Sequence, residues 1–446
     1  MNKLKNIFLF ASAVAMSFAG AAQEMRLGIV EAVKYAELNN NNIKVQEFEQ
    51  KKAREGVRMA SAGLKPQINA GAGYARYFDR QVIFMPGSFL GTPQLPVADV
   101  QVGGLNAANA YIAMTQPVLD LGSYAQRRIS KIDNSIESRR LNKVNEQVKT
   151  EVYKQYMALL IIDRQLAAMQ RSLDRNERAL LDAKSLYSQG KSLRTDTLNS
   201  FISLQNVLSA IAVLENQKQS AMFDFKRMLG VESALNLVLA DTNLLHIDEQ
   251  GPLQLDIQTG IAASNHDVAI AQMLVDKKAR EYSKATLSRL PKLSAAGQYQ
   301  VQTQNDKWQV RNYSWPRTSF VGLQLSVPIY GGGALNAQNK IKKYELMQER
   351  FMLKDLKQKV EDEAIVVQQT IKDLKFQHSI HTSNLIASQI SFNIIRERYI
   401  EGMSTHLELA DAELAVTKAE IELFMSIYNL RSVELDLKLL TGAPIL

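Results

Sequence analysis

The side chains that could support chemistry in this chain are two closely spaced acids and five histidines. Glu408 and Asp411 lie three residues apart in a helical pattern, so both carboxylates face one side of a helix. His378 and His381 share this spacing, but a helix surface alone gives a metal too few ligands, so no metal site is predicted. His406 is expected to be solvated. No ordered nucleophile, base and acid stand out, so the sequence predicts neither an enzyme nor a bound cofactor.

The two acids would acquire a function if several copies of the chain surrounded one axis. Three-fold symmetry would place six carboxylates of Glu408 and Asp411 around a narrow opening, and such a ring attracts cations. The alternative is a pair of solvated acids at a helix start, where the helix dipole favours carboxylates.

Composition excludes several classes of protein. The formal net charge of +8 falls to +6 without Lys3 and Lys5, and the excess is scattered, so no nucleic-acid partner is predicted. The chain has no cysteine, and therefore neither a disulfide framework nor a cysteine for a lipid anchor. The glycines at 331–333 are not a phosphate loop, because no Gly-Lys-Ser/Thr follows them.

Residues 1–22 have the parts of a secretory signal peptide. Lys3 and Lys5 precede an apolar run at 7–18, and small residues at 20–22 form a cleavage site. The run is too short to span a membrane as a helix. We therefore expect an exported chain whose mature form starts at Gln23.

Two short polar breaks, each with one glycine, divide long helical patterns. The glycines are Gly190 and Gly402, and glycine tolerates the left-handed conformation that ends a helix. Each break is therefore predicted to be the tip of a long antiparallel helical hairpin. Apolar residues recur every seventh position beside both breaks, which is typical of a coiled-coil seam. The first row is Val152, Leu159, Leu166, Leu173, Leu180 and Tyr187, and the last is Leu407, Leu414, Ile421, Tyr428 and Leu435.

Four stretches alternate apolar and polar residues with the period of a β-strand. They are 67–78, 108–118, 292–304 and 319–327. Each would have one apolar and one polar face. Three prolines between the first two stretches predict a long loop there.

The chain is predicted to contain two copies of one unit. The segment around Pro66 matches that around Pro291, and Gly190 and Gly402 recur at the same spacing as Gly230 and Gly442.

The limits of the two copies follow from these matches. The first repeat spans 23–252, with a β-hairpin at about 67–118 and a coiled-coil hairpin at 122–229 whose tip is at 190. The second spans 253–446, with a β-hairpin at about 292–329 and a coiled-coil hairpin at 333–441 whose tip is at 402.

Four amphipathic strands cannot close a barrel, and open sheet edges are not tolerated in lipid. Two copies would give an eight-stranded barrel filled by side chains, whereas three copies give twelve strands and a possible lumen. The predicted fold class is therefore mainly α with a transmembrane β-barrel contribution: a duplicated helix–β-hairpin–long coiled-coil unit that forms a trimeric α/β barrel channel with four strands per chain.

Nearly the whole mature chain resembles the TolC family of outer-membrane efflux channels. The resemblance rests on the signal peptide, the duplicated unit, the proline-containing strand ends at 116–118 and 326–328, and the two tips. It implies a homotrimer in outer-membrane lipid whose large periplasmic part docks a periplasmic adaptor at Gly190 and Gly402. An inner-membrane transporter of the proton-driven RND type is expected to supply the energy to this passive conduit in a tripartite efflux system.

The resemblance also implies a gate at the tips. Tyr399 matches a latch tyrosine, and Thr195 and Asp196 match its Thr-Asp partners, while Glu408 and Asp411 match the two acidic rings of the periplasmic constriction. The latch arginine of the family is absent. Ser404 stands in its place, which leaves Arg194 as a candidate substitute.

Two alternatives remain at this point. One is the outlet of a type I protein-secretion system, which is a channel of the same kind with a different partner. The other is an exported coiled-coil structural protein without a pore, although such a protein would not need two sets of amphipathic strands.

Overall fold

The computed structural model of the chain describes residues 25–91, 94, 96–241, 264–307 and 314–443, so the predicted signal peptide lies outside the described residues. The helices are α1 (Ile29–Asn39), α2 (Asn41–Ala62), α3 (Leu121–Ser188), α4 (Arg194–Leu229), α5 (His266–Leu287), α6 (Ala334–Ile400) and α7 (His406–Thr441). The strands are β1 (Met25–Leu27), β2 (Gln67–Arg76), β3 (Gln81–Met85), β4 (Ala98–Val102), β5 (Asn106–Leu119), β6 (Leu237–Leu239), β7 (Lys292–Asn305) and β8 (Arg317–Ser326).

The contacts of the chain divide it into two compact units. The first contains Met1–Glu49, Ser138–Ile270 and Leu353–Leu446, and the second contains Gln50–Glu137 and Ala271–Met352. Each unit draws segments from both halves of the sequence. The boundaries of the two sequence repeats therefore stay a prediction.

The second unit holds the four predicted strands in one antiparallel sheet of order β2-β5-β7-β8. Directly paired residues share a face, and the register pairs Ile112 with Tyr299, and Ala295 with Leu323. The predicted apolar residues therefore lie on one face. Val321 on that face is 87% exposed, so the described chain leaves this apolar surface uncovered.

The connection between β2 and β5 differs from the predicted loop. It contains a two-stranded antiparallel sheet, β3-β4, with Pro86 and Pro96 in the segment that joins the two strands. Proline ends a strand but does not prevent one on either side of it, so the proline count is a poor guide here. Pro117 lies inside β5, where the register with β7 shifts next to it.

In the first unit the heptad rows are confirmed in part. Val152 and Leu159 of α3 are fully buried, whereas Tyr187 near the tip is exposed. The row predicted for α7 is wrong at its tip end, because Leu407 and Leu414 are exposed. The buried row begins two residues later, at Leu409, Val416, Leu430 and Leu437.

The same unit confirms the duplication at the level of single contacts. The amide of Asn40 donates to the Met228 carbonyl at 2.7 Å, and the amide of Asn265 donates to the Leu440 carbonyl at 2.9 Å. Both asparagines are buried, and each also accepts the backbone N–H two residues later at 2.8 Å. Asn40 and Asn265 are as far apart in the sequence as the matching prolines Pro66 and Pro291. Met228 and Leu440 are as far apart as the two tip glycines.

A short parallel pair, β1-β6, supports the core of the first unit. Neither strand of this pair lies within the four alternating stretches that the sequence predicts. Tyr156 is fully buried beside Phe225, with the ring centroids 6.0 Å apart, and its hydroxyl donates to the Leu27 carbonyl at 3.1 Å.

Among the described residues, one helix, α4, is long and apolar enough to cross a membrane. One such helix is weak support for a membrane span, and α4 is one arm of a helical hairpin.

Candidate functional site

Both predicted tip glycines adopt the left-handed conformation, with φ of +70° at Gly190 and +74° at Gly402. The N–H of Gly190 donates to the Tyr187 carbonyl, and the N–H of Gly402 donates to the Tyr399 carbonyl. The residue after each glycine bonds five positions back, which completes a Schellman motif at each helix end. Both tips therefore end their first helix with the same backbone conformation and hydrogen-bond pattern.

The helices that leave the tips start in equivalent ways. The Asp196 carboxylate accepts the N–H of Leu193 at 3.0 Å, and the Glu408 carboxylate accepts the N–H of Thr405 at 2.9 Å. Thr405 in return accepts the N–H of Glu408 at 3.3 Å, which closes a capping box. Asp196 and Glu408 each follow their tip glycine by the same number of positions. A predicted latch residue and a predicted gate residue thus occupy the same position of the two hairpins.

Glu408 and Asp411 are both exposed on the first turns of α7. The N–H of Thr405 lowers the pKa of the Glu408 carboxyl, and Arg398 contributes in the same direction. Glu408 is therefore ionised at neutral pH, as a cation-attracting ring requires. Its capping bonds also fit the alternative of a helix-start acid, so the acidic ring stays a prediction.

Tyr399 is buried, but its hydroxyl has no hydrogen-bond partner within the described chain. Burial raises the pKa of this hydroxyl, and the nearby Asp196 and Asp182 add to the effect, so it stays protonated. No hydrogen bond joins Tyr399 to Thr195 or Asp196 among the residues that the structure describes. The predicted latch bond is not formed within the described chain, and the latch stays a prediction.

His406 is partly buried, and the expectation of a solvated side chain is wrong. Its ring centroid lies 6.2 Å from that of Tyr399, and its Nε2 lies 3.3 Å from Oγ of Ser200. Burial lowers the pKa of the imidazole, while Asp196 acts in the opposite direction. The side chain fills space where the tip ends of α4, α6 and α7 meet, which a sequence pattern does not reveal.

Arg194, the candidate substitute for the missing latch arginine, does not take part in a latch within the described chain. Arg194 is exposed at the start of α4 and makes no ion pair in the described part of the chain. Arg398 instead donates to the Met403 carbonyl at 3.3 Å and so spans the second tip turn.

Sequence reasoning missed a buried polar cluster behind the tips. The Glu413 carboxylate of α7 accepts hydrogen bonds from Ser172 at 2.7 Å, from Arg175 at 3.1 Å and from Asn176 at 3.1 Å, all on α3. Thr417 donates to the same carboxylate at 3.0 Å. We call these five residues the Glu413 cluster. Its only signal in the sequence is Asn176, a polar residue seven positions from each of the apolar residues Met169 and Ala183.

The two histidines considered for a metal face α7 instead. Nδ1 of His378 lies 2.9 Å from Oγ of Ser426, and Nδ1 of His381 lies 3.4 Å from the Glu422 carboxylate. No group of three or more His, Asp or Glu side chains in the described residues is arranged to hold a metal.

The polar face of the sheet carries a row of amides in the second unit. Gln298 donates to Gln300 at 2.7 Å, and Gln300 donates to Gln302 at 3.1 Å along β7. Gln300 pairs with Tyr111, whose ring lies where a side chain at Gly71 would project. The face is hydrogen-bonding and uncharged at these positions.

Comparison with known proteins agrees with this architecture. A family model described as outer membrane efflux protein matches residues 32–231 and 260–443. The proteases secretion protein PrtF of Dickeya chrysanthemi is 23% identical over 353 residues, which cover 73% of this chain and 68% of PrtF.

Three solved structures share the fold at low sequence identity. CusC has a TM-score of 0.77 and 16% identity, covering 93% of this chain and 92% of its own. The outer membrane protein VceC of Vibrio cholerae has a TM-score of 0.76 and 12% identity, and the match covers 94% of this chain and 97% of VceC. The open state of the Neisseria gonorrhoeae channel MtrE has a TM-score of 0.70 and 14% identity, and the match covers 93% of this chain and 89% of MtrE. Because the family model spans both halves of the sequence, the chain belongs to the outer membrane efflux protein family and is an outer-membrane efflux channel of the TolC type.

Proposed function

We propose that three copies of this chain form one passive conduit from the periplasm to the exterior. The observation that carries the proposal is the sheet of order β2-β5-β7-β8, whose outer strands β2 and β8 each lack a partner on one side within the described chain. Its apolar face is uncovered. Lipid tolerates no open sheet edge, so the strands must be completed by other copies. Twelve strands leave a lumen that eight do not.

In this arrangement the polar face of the sheet lines the water-filled lumen, with Gln298, Gln300 and Gln302 in a hydrogen-bonded row. The apolar face contacts outer-membrane lipid. No charged side chain interrupts this amide row, so the row itself exerts little charge selection. At the tips, Glu408 and Asp411 would surround the periplasmic opening and select by charge there.

The chain performs no catalytic step in this account, and its energy comes from partners. A periplasmic adaptor would dock at the turns around Gly190 and Gly402, where Leu193 and Met403 are 70% and 68% exposed. An inner-membrane transporter, of the proton-driven RND type, would deliver the substrate through that adaptor. These partners complete a tripartite efflux system.

The proposal is tested by reconstituting the purified full-length chain in planar lipid bilayers and measuring ion current. Trimeric channels predict discrete, reproducible conductance steps from a species whose mass in detergent is three chains. A monomeric species that leaves the bilayer insulating would contradict the proposal.

One observation favours a second candidate, the outlet of a type I secretion system. It is the 23% identity to PrtF, whose name describes protease secretion. Cross-linking the chain in its native cell envelope and identifying the inner-membrane protein that is captured separates the two. A proton-driven transporter supports efflux, and an ATP-driven exporter supports secretion.

A further inference from the structure

The tip of this chain lacks the polar bonds that the family resemblance implied for its closure. Ser404 replaces the latch arginine, and the Tyr399 hydroxyl is unpartnered within the described chain. Asp196 and Glu408 are both engaged in capping their own helices. The contact of His406 with Ser200 still joins the two hairpins at the tip, and it involves a partly buried imidazole.

The Glu413 cluster also joins the two hairpins, behind the tip. Glu413 and Thr417 lie on α7, whereas Ser172, Arg175 and Asn176 lie on α3, so every bond from α3 to the Glu413 carboxylate joins the two hairpins. The Arg175 guanidinium also donates to Thr417 at 2.9 Å and lies 5.7 Å from the ring centroid of Phe392 on α6. The cluster thus connects three of the four tip helices.

Burial distinguishes this cluster from the other ion pairs between α3 and α7. The side chains of Arg175 and Glu413 are 20% and 14% exposed. Arg171 pairs with Glu420, and Lys154 with Asp436. Glu420 and Lys154 are 11% and 18% exposed, but each pair has one partner that is about half exposed, Arg171 at 50% and Asp436 at 47%. Solvent screens such half-exposed pairs, so they add little. Removing one partner of a buried, multiply bonded pair is much more costly.

A cavity interrupts the apolar packing near the tip. This cavity of about 240 Å³ lies between α3, α4, α6 and α7 and is lined by Tyr399, His406, Leu409 and Glu413, among others. Apolar contacts are missing where this cavity lies, so polar bonds carry a larger share of the attachment.

We propose that the Glu413 cluster is the clamp that keeps α7 against α3 and thereby holds the periplasmic tip closed. The inference rests on the proposed function and deepens it, because it names the positioning residues of the same gate. Opening the tip requires α7 to move away from α3 and breaks the bonds to Glu413. The unpartnered Tyr399 contributes shape but no bond.

The test compares Glu413→Gln with Asp436→Asn in the full-length chain reconstituted in planar bilayers. Both variants neutralise a carboxylate that joins α7 to α3, but the Glu413 side chain is 14% exposed and the Asp436 side chain is 47% exposed. Loss of a charged hydrogen-bonded partner predicts a rise of roughly tenfold or more in the ratio of open to closed time for Glu413→Gln. Asp436→Asn should stay within about twofold of the unchanged chain. Equal effects of the two variants, or a larger effect of Tyr399→Phe than of Glu413→Gln, would overturn the clamp.

A second readout separates this test from the proposed function. Hydrogen exchange of the backbone amides at 406–420 should accelerate in Glu413→Gln and not in Asp436→Asn, whether or not the protein conducts. If Glu413→Gln fails to assemble, Ser172→Ala and Thr417→Val each remove one bond to the carboxylate and should raise exchange in the same segment by a smaller factor. Unchanged exchange in these variants contradicts the clamp. An insulating bilayer with accelerated exchange contradicts the channel and supports the clamp.

Discussion

Two neighbouring residues on β8 give opposite predictions for one substitution. Leu323 pairs with Ala295 on the apolar face and is 71% exposed, whereas Gln324 pairs with Ser294 on the polar face. In the proposed barrel, Leu323→Arg places a guanidinium in lipid, and Gln324→Arg places it in the water-filled lumen. The two variants differ by one position in sequence and introduce the same charge.

The size of the effect follows from the depth of the side chain. An arginine on the lipid face of a barrel costs about 2–4 kcal/mol at the bilayer midplane and less near the interfaces. Leu323 lies in the second half of β8, so we take about 2 kcal/mol for each chain, or about 6 kcal/mol for three copies. That corresponds to roughly four orders of magnitude in the assembly equilibrium.

The assay is heat-modifiable migration of outer-membrane fractions on a gel, followed by urea titration of the trimer that remains. Leu323→Arg should greatly reduce the heat-modifiable trimer or lower its urea midpoint, and Gln324→Arg should resemble the unchanged chain. Equal loss in both variants, or a greater loss in Gln324→Arg, would refute the assignment of the two sheet faces.

Two further predictions concern the tips. Glu408→Gln combined with Asp411→Asn removes the acidic ring but keeps a side-chain acceptor for the helix cap, so block of the conductance by divalent cations should weaken at least severalfold. The control, Glu401→Ala on the tip turn, should leave the block unchanged. Undiminished block in the double variant would favour the alternative that both residues are solvated acids at a helix start. Because the folded pKa of His406 lies below the usual value of about 6.5, tip packing is at full strength above that pH and weakens as the pH falls towards the folded pKa. The open time should therefore rise on acidification from about pH 7 to 5, and a dependence that persists in His406→Gln would assign it to another group.

The helices and sheet were predictable because their residues repeat with a regular period. The heptads on both sides of Gly190 and Gly402 predicted the hairpins, and the alternation in β5 and β7 predicted a face that the register then confirmed. The duplication strengthened the predictions of the hairpins and of the sheet face, because each element in one repeat had a counterpart at a fixed sequence offset in the other. The limits of the predicted strands differ from the observed ones by two residues or fewer.

Contacts between elements were much less predictable. The bonds to Glu413 come from α3, in the first half of the sequence, and no local pattern marks the carboxylate. The buried row of α7 was also misplaced, because exposed apolar residues such as Leu407 and Leu414 repeat every seven residues as regularly as the buried ones. In the proposed trimer, apolar surface is also buried between copies, and periodicity alone does not separate a seam within one chain from a seam between chains.

Thiol labelling along β7 tests the central claim most directly, because the chain contains no cysteine of its own. Single cysteines are introduced at positions 298 to 302, and each variant is treated with a membrane-impermeant thiol reagent after reconstitution into vesicles. A shared wall around water predicts labelling at Gln298, Gln300 and Gln302 and protection at Tyr299 and Val301. Equal labelling at all five positions, or protection of all five, would contradict a barrel with lipid on one face and water on the other.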